Sequence, residues 1–265
     1  MNLKITLKTA SLWMATLALA LLQGCASGPA ALPEDPFEPF NRGVFRFNEG
    51  LDRAVLKPVA IAYLNATPEP VRTSVNSFFE NISDVWSTVN NALQGKPVET
   101  ANSLFRVTVN TFWGVAGIFD VATLMKIPKH KEDFGQTLGY WGLDTGPYLV
   151  LPLFGSSSIR DTFGLLVDRQ GNLVTQMDNV ALRNSLTGLN LVDTRTDLLN
   201  VGNVVDAAAL DKYTFTRDIY LHRRQNLIRE ESRQLEERFD LPEGSPGAAR
   251  PDAAVAPAAP ASSAK

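Results

Sequence analysis

The residue types that most often carry out catalysis are scarce in this chain, which has one cysteine and two histidines among 265 residues. The Gly-Ser-Ser-Ser segment at residues 155–158 lacks the G-x-S-x-G pattern of a nucleophilic serine, because glycine is absent two residues after either candidate serine. His130 and His222 lie in no H-E-x-x-H pattern, and no phosphate-binding G-x-x-x-x-G-K-[ST] segment occurs. One cysteine forms neither an internal disulfide nor a cysteine-rich zinc site. The sequence therefore favours binding or transport over catalysis and predicts no catalytic residue and no metal site, although a carboxylate pair acting as acid and base stays open.

The single cysteine, Cys25, has the position of a lipid-attachment site. Residues 1–24 contain two lysines, then a largely apolar run without charge, then small residues, which is typical of a secretory signal peptide. The segment Leu22-Gln23-Gly24-Cys25 resembles the lipobox of bacterial lipoproteins, in which the cysteine is acylated and becomes the new N-terminus. We therefore interpret residues 1–24 as a lipoprotein signal peptide, Cys25 as the lipidation site and residues 25–34 as a lipidated tether. A plain signal peptide followed by an incidental cysteine is the alternative.

Composition limits the remaining classes of function. The net charge is −3 and 45% of the residues are hydrophobic, so the chain has enough apolar residues to form a core. It lacks the basic excess that binding to nucleic acid requires, so we expect no nucleic-acid partner. Residues 241–265 are rich in Ala, Pro and Ser and have almost no large apolar side chains, which predicts a disordered tail. The folded domain is therefore expected at residues 35–240.

The apolar residues of this domain follow a helical period. A first helix begins near Phe37 and is interrupted near Lys57-Pro58, where the proline should kink or restart it. A second begins at Thr67-Pro68, as N-cap and first helical residue, and ends before Gly95. A third is predicted over residues 97–113 and a charged fourth over residues 211–239.

The third and fourth helices also have predicted orientations. In the third helix we expect the apolar face to point inward and the polar face outward. The inward residues are Val98, Ala101, Phe105, Val109 and Phe112, and the outward residues are Glu99, Asn102, Arg106 and Asn110. In the fourth helix, His222, Arg223 and Arg224 predict a solvated face, with contact to lipid headgroups or to a partner as the alternative.

Residues 134–158 differ from the rest because they are rich in glycine and apolar residues and almost free of charge. The glycines argue against a regular helix throughout, and Pro147 and Pro152 argue against a central strand. A surface loop this apolar should not face water. We therefore expect the segment either in the core or in contact with lipid.

Several short strings of residues occur in an order and with a spacing that are specific to one family. They are Asp35 to Arg42 (DPFEPFNR), Phe45 to Asn48, Lys57 to Ala60, Phe134 to Gly139, Gly146 to Tyr148, Leu151-Pro152, Gly155-Ser156 and Arg160-Asp161. Together they resemble the MlaA (VacJ) lipoproteins over nearly all of residues 35–230. The disordered tail lies outside this resemblance.

The resemblance implies an all-α, ring-like domain of amphipathic helices that lies in the inner leaflet of the outer membrane and encloses a central channel. Such proteins remove phospholipids misplaced in the outer leaflet and pass them to a periplasmic carrier, MlaC, which maintains lipid asymmetry. They associate with trimeric porins, break no bond and need no cofactor. Ala26, in place of Asp after the lipobox cysteine, also implies delivery to the outer membrane.

The resemblance further implies a set of site residues. The segment from Gly139 to Gly146 matches the family's flexible hairpin beside the channel, where glycine lowers the cost of backbone movement. Its aromatic residues suit an interface with one wet end, with simple packing as the alternative. The channel and hairpin residues are Gly139, Tyr140, Trp141, Gly142, Leu143, Asp144, Gly146, Pro147 and Tyr148, and the gate-supporting residues are Phe40 and Asn41. Two other functions stay open: a structural lipoprotein that ties porins to the envelope, and a lipid-modifying hydrolase.

Overall fold

The computed structural model describes residues 32–239, so the predicted signal peptide, Cys25, the first part of the tether and the predicted tail lie outside the described residues. The helical elements are α1 (Glu38–Leu51), a π-helical turn (Asp52–Leu56), α2 (Lys57–Ala66), α3 (Glu69–Leu93), α4 (Pro97–Phe112), α5 (Val121–Leu124), α6 (Phe134–Tyr140), α7 (Ile159–Gly171), α8 (Val180–Asp197), α9 (Leu199–Ala208) and α10 (Lys212–Phe239). Between α6 and α7, strands β1 (Tyr148–Leu151) and β2 (Gly155–Ser158) form an antiparallel hairpin. The predicted all-α class is confirmed, with this short hairpin as an addition.

A π-helical turn joins α1 and α2 into one helical segment. It is closed by a hydrogen bond from the Lys57 N–H to the Asp52 carbonyl oxygen, which is the spacing of a π-helix. Pro58 follows in the first turn of α2, where its missing N–H costs least. The predicted interruption near Lys57-Pro58 is therefore confirmed and has the form of a π-helical turn.

The bounds of α3, α4 and α10 agree with the predictions to within one or two residues. Pro68, rather than Thr67, is the N-cap residue of α3, and its carbonyl oxygen accepts hydrogen bonds from the N–H groups of Val71 and Arg72 at 3.0 and 3.2 Å. Gly95 follows the end of α3 with φ +70°, the left-handed conformation that terminates many helices.

The predicted orientation of α4 is wrong. Arg106 and Asn110, expected on the outer face, are 2% and 3% exposed, and Glu99 is also buried. Phe105 and Phe112, expected on the inner face, are 51% and 76% exposed. Val109 is buried as predicted, but the helix as a whole presents its apolar stripe outward.

The physical reason is that α3 and α4 pack together through their polar faces. Arg106 Nε donates to Asp84 Oδ2 at 3.3 Å, and Asn81 Nδ2 donates to Thr111 Oγ1 at 3.2 Å. Among the described residues, more polar and charged side chains than apolar ones are buried, whereas many large apolar side chains are exposed. A helix in water buries its apolar stripe. The reversed arrangement is the one expected where apolar surroundings replace water.

The contacts between elements run in a closed cycle. α1 contacts β1, β2 contacts α10, α10 contacts α6, α6 contacts α3, α3 contacts α8, and α8 contacts α2, which continues α1. This cycle agrees with the predicted ring-like arrangement of the helices. Within residues 32–239, no helix combines the length and the apolar character needed to cross a membrane.

An apolar core of the ordinary kind lies where the hairpin meets α1 and α10. Tyr148, Val150, Tyr213 and Leu221 are buried there. The Tyr213 ring makes edge-to-face contacts with Phe45 and Tyr148, at centroid distances of 5.7 and 6.2 Å. Such pairs stabilise a core beyond the burial of their area, so this junction fixes the hairpin to the two long helices.

Candidate functional site

The residues predicted to form the hairpin beside the channel have three different settings. Gly139 and Tyr140 are the last residues of α6, and Tyr148 is the first residue of β1 and fully buried. Between them, residues 141–144 form an exposed turn that includes Asp144, and Gly146 and Pro147 lead into the strand. The exposed part of the predicted site is therefore the turn at Trp141 and Leu143, which are 54% and 52% exposed.

The glycines of this segment serve different purposes. Gly142 and Gly146 have φ values of +90° and +67°, where a side chain would add strain. Gly139 instead lies where a Cβ atom would come within 2.5 Å of Ile228 Cδ1 and 2.8 Å of Arg160 Nη1. Close packing against α10 and α7 thus explains Gly139, whereas the turn conformation explains the other two.

The turn is held at both ends by hydrogen bonds to neighbouring elements. Trp141 Nε1 donates to the Leu93 carbonyl oxygen at 3.2 Å, at the end of α3. Arg160 Nη1 donates to Thr145 Oγ1 at 3.2 Å and to the Leu143 carbonyl oxygen at 3.4 Å. These contacts tie the exposed turn to two rigid helices.

Asn41, predicted as a gate-supporting residue, is fully buried against the first strand. Its Nδ2 donates to the Tyr148 carbonyl oxygen at 3.0 Å, and its Oδ1 accepts from the Val150 N–H at 2.9 Å. Asn41 therefore pairs with the backbone of β1 as a neighbouring strand would. Phe40 is 50% exposed, and Asn41 is the gate-supporting residue whose hydrogen bonds reach the predicted hairpin residue Tyr148.

Asp35 connects this contact to α10. Its carboxylate accepts hydrogen bonds from Asn41 Nδ2 at 2.8 Å, from the Tyr213 hydroxyl and from Arg217 Nη1 at 3.4 Å. Burial and the neighbouring Asp35 carboxylate raise the pKa of Tyr213 above its usual range, so the phenol stays protonated and donates. The N-terminal segment, the hairpin and α10 are thereby held as one unit.

A buried ionic cluster around Arg224 joins α10 to α6 and α7. The Arg224 guanidinium donates to Asp133 at 2.5 and 2.9 Å and to Asp161 at 2.8 Å. Burial alone would raise the pKa of Asp161, but hydrogen bonds from Arg224 and Tyr220 and the charge of Arg160 outweigh it and lower the pKa. Gly135 is required here because a Cβ atom would come within 2.6 Å of Arg224 and Asp161.

The prediction of a solvated face at His222, Arg223 and Arg224 is therefore wrong for one of the three residues. His222 and Arg223 are exposed, as predicted. Arg224 lies one helical step further round and points into the protein, where its side chain is 11% exposed. The run of charged residues does not indicate the cluster, because the two aspartates that bind Arg224 lie far away in the sequence.

An amphipathic cleft of about 290 Å³ opens between α1, α8, α9 and the start of α10. Its apolar wall is formed by Phe45, Leu198, Val201 and Val205. Its charged wall contains two ion-pair groups. Arg195 binds Asp52 through two hydrogen bonds of 2.6 and 2.8 Å, and Lys212 binds Glu49 and Asp206 at 2.8 and 2.6 Å. The cleft therefore offers both a polar surface and an apolar surface to one ligand.

An exposed apolar surface begins at the end of α4 and covers residues 112–125, which we name the apolar segment. Its exposed large side chains are Phe112, Trp113, Val115, Ile118, Phe119, Leu124 and Met125. The segment is braced from inside by Arg106, which donates to both Asp120 oxygens at 3.1 and 3.2 Å and to the Ile127 carbonyl oxygen at 2.8 Å. Val115 has φ +53°, an unusual conformation for a β-branched residue. A contiguous patch of this kind marks a contact with lipid or with another protein.

Several residues that position the site are not predicted as such from the sequence. Arg106 is predicted on the wrong face of its helix, and Arg160 and Asn48 occur only as members of the family strings. Asn48 lies seven residues after Asn41 and so on the same face of α1, which is a further signal in the sequence that points to it.

The sequence of the chain matches a known protein family over most of the described residues. The family model of the MlaA lipoproteins matches residues 33–227. The chain belongs to the MlaA lipoprotein family. It is 36% identical over 209 residues to an uncharacterized protein of Rickettsia felis, covering 78% of this chain and 81% of the relative. It is 33% identical to the intermembrane phospholipid transport system lipoprotein MlaA of Escherichia coli K12, covering 78% of this chain and 84% of that protein.

A solved structure has a fold similar to that of this chain. It was determined in work on the structural basis for maintenance of bacterial outer membrane lipid asymmetry, and it superposes with a TM-score of 0.65 at 31% identity. The match covers 73% of this chain and 98% of that chain. The helical ring of this MlaA family member is therefore shared with a protein of known structure, and the resemblance in the sequence is confirmed.

Proposed function

We propose that this MlaA family member is an outer-membrane lipoprotein that removes misplaced phospholipids from the outer leaflet through a channel and passes them to a periplasmic lipid carrier. The relatives in Escherichia coli and Shigella flexneri are lipoproteins of the intermembrane phospholipid transport system. Transport of this kind breaks no bond and needs no cofactor. The protein is thus proposed to be a transport component and not an enzyme.

The single observation that carries the proposal is the reversed polarity of the ring. The apolar segment and the outer faces of α3 and α4 expose Phe, Trp, Val and Leu side chains, while ionic groups are buried between the helices. In acyl chains, outward apolar side chains are stabilised and polar groups must be paired inside the protein. We propose that this surface lies in the inner leaflet of the outer membrane.

The amphipathic cleft is the proposed entrance of the lipid path. A phospholipid needs a polar surface for its headgroup and an apolar surface for its acyl chains. The ion pairs of Arg195 and Lys212 supply the first, and Phe45, Val201 and Val205 supply the second. The β-hairpin contacts α1, which also lines the cleft, and the exposed turn at Trp141 leads into that hairpin. Both are proposed to control access.

Attachment and partners are proposed from the sequence and the family. Acylation of Cys25 would anchor the mature chain, since several acyl chains hold a protein firmly in a membrane whereas one holds it only marginally. The carrier is proposed to be MlaC and the membrane partner a trimeric porin.

Co-purification of lipid tests the transport function most directly. The mature chain is purified from Gram-negative membranes in mild detergent, and bound phospholipid is quantified before and after adding the periplasmic carrier. We expect bound phospholipid that leaves when the carrier is added. Val201→Arg should abolish the bound lipid, because it places a charge on the apolar wall of the cleft. Asn65→Ala, at an exposed position on α2, serves as the matched control and should leave the bound lipid unchanged.

The same preparation separates the two other functions. Release of fatty acid or of headgroup from added phospholipid would identify a lipid-modifying hydrolase. A protein that binds porin but neither binds phospholipid nor delivers it to the carrier would be a structural lipoprotein. Either result would contradict the proposed transport.

A further inference from the structure

Asn48 binds the turn of the β-hairpin through both ends of its side-chain amide. Its Nδ2 donates to the Leu151 carbonyl oxygen at 2.9 Å, and its Oδ1 accepts from the Leu153 N–H at 2.9 Å. A side chain that satisfies a carbonyl and an N–H two residues apart replaces the backbone of a missing strand. Asn48 therefore fixes the path of the chain where β1 ends.

Asn41 makes the same pair of hydrogen bonds further along the strand. Its amide joins the Tyr148 carbonyl oxygen and the Val150 N–H, at 3.0 and 2.9 Å. Because seven residues span two turns of a helix, Asn41 and Asn48 lie on one face of α1, in line with the hairpin. The two asparagines together hold the hairpin against the helix at two points.

The conformation that Asn48 stabilises is a strained one. Leu153 has φ +70°, a left-handed conformation that non-glycine residues rarely adopt. Leu153 and the following Phe154 are 66% and 56% exposed, so the strained turn presents two large apolar side chains at the surface. Strain of this kind persists where surrounding contacts hold it, and it is concentrated at functional positions.

We propose that Asn48 is a positioning residue for lipid transport, because it holds the hairpin turn so that Leu153 and Phe154 contact lipid acyl chains. This inference rests on the proposed function. Asn48 and Asn41 act on the same hairpin, and α1 carries both of them beside Phe45 and Glu49, which line the cleft. Helix α1 therefore lines the lipid cleft and also binds the hairpin.

Amide hydrogen exchange of the full mature chain in phospholipid vesicles tests the structural part. In Asn48→Ala, we expect exchange in the segment 150–154 to accelerate at least about tenfold, since two hydrogen bonds are lost. Exchange in α3 should not change. Asn65→Ala, the exposed control on α2, should leave both segments unchanged. Unchanged exchange at the turn in Asn48→Ala, or equal acceleration in α3, would overturn the proposal.

A second substitution separates the hydrogen bonds of Asn48 from general stability. Asn48→Asp keeps an acceptor for the Leu153 N–H but loses the donor to the Leu151 carbonyl oxygen, so exchange at the Leu153 N–H should accelerate less than in Asn48→Ala. Equal acceleration in the two variants would overturn the proposal.

Lipid transfer from the same vesicles to the periplasmic carrier tests the functional part. At equal amounts of membrane-bound protein, Asn48→Ala should lower the initial transfer rate several-fold, whereas Asn65→Ala should not lower it. A wild-type transfer rate in Asn48→Ala would overturn the positioning role. Absence of transfer by the unsubstituted chain would instead overturn the proposed function, and the exchange results would still decide how the hairpin is held.

Discussion

Where the β-hairpin meets α1 and α10, Tyr148, Val150 and Tyr213 are buried against one another, as in a water-soluble protein. Along α3 and α4, by contrast, Arg106, Asp84 and their neighbours fill the interior, and the apolar side chains face outward. One chain thus uses two kinds of packing. The difference supports the proposal that the ring has lipid on one side and water on the other, since each kind of packing is favoured in a different solvent.

The largest effect is expected from a substitution that removes Arg106 from the buried ionic cluster between α3 and α4. Arg106→Leu removes the cation that pairs with the buried Asp84 and the partly buried Asp120, and leaves Asp84 with Lys129 at 3.6 Å, which should lower the free energy of unfolding in detergent by about 3 kcal/mol. Arg46→Leu, at an exposed position of α1, is the control and should change it by less than about 0.5 kcal/mol. Equal effects of the two substitutions would show that the buried ionic cluster does not hold this region together.

The next effect concerns the exterior of the same region. In a Cys25→Ser chain, Phe112→Ser combined with Trp113→Ser should weaken binding to phospholipid vesicles about 100-fold, since two aromatic side chains contribute about 3 kcal/mol of apolar burial. Vesicle flotation measures the bound fraction. Asn200→Ser, an exposed polar substitution on α9, should not weaken binding. Unchanged binding of the aromatic variant would mean that the apolar segment does not contact lipid.

A matched pair of valines sharpens the comparison between the regions. Val150 is 1% exposed in the apolar core, and Val98 is 54% exposed on α4. Val150→Ala should lower the free energy of unfolding by about 2 kcal/mol, because it leaves a cavity. Val98→Ala should cost less than about 0.5 kcal/mol in the same detergent. A larger cost at Val98 would place that side chain in a packed protein interior.

The smallest expected effect is the response of the Arg224 cluster to pH. Bonds to Arg224 and Tyr220 hold the pKa of Asp161 below its ordinary 3.8, so its stabilising contribution is complete above that value. The contribution is lost as pH falls through the lower pKa of the folded state. Unfolding measured between neutral and acid pH should therefore show a steeper acid loss in the unsubstituted chain than in Asp161→Asn. Parallel curves would contradict the assignment.

The sequence predicts the bounds of the helices better than their orientation. Prolines and glycines such as Pro68, Gly95 and Pro97 mark where α3 and α4 begin and end, because their effect on the backbone is local. The helical period divides α4 into two faces but does not say which face is inside. That choice depends on the surrounding solvent, which the period alone does not identify, so Arg106 is predicted on the wrong face.

Parts of the site whose contacts join residues close together in the sequence could be predicted. Parts whose contacts join residues far apart in the sequence could not. The turn at residues 141–147 follows from its glycines and from Pro147. The partners of Arg224 lie 63 and 91 residues away, at Asp161 and Asp133, so a run of charge on α10 gave no sign of them. Asn41 is predicted as a site residue through the family resemblance, whereas its hydrogen bonds to β1 and those of Asn48 to the hairpin turn depend on the position of β1 beside α1.

Fluorescence quenching by brominated acyl chains tests most directly whether the apolar segment faces lipid. The chain has four tryptophans, of which Trp13 lies in the predicted signal peptide. Trp113 is 70% exposed on the apolar segment, whereas Trp86 is partly buried and donates to Asp168 at 2.7 Å. Trp141, which is 54% exposed, is first replaced by phenylalanine (Trp141→Phe). In vesicles of brominated phospholipid, this mature chain should lose much of its tryptophan emission, and a further Trp113→Phe should remove most of that quenching. Quenching of Trp113 by aqueous iodide, with no effect of the brominated chains, would contradict the account.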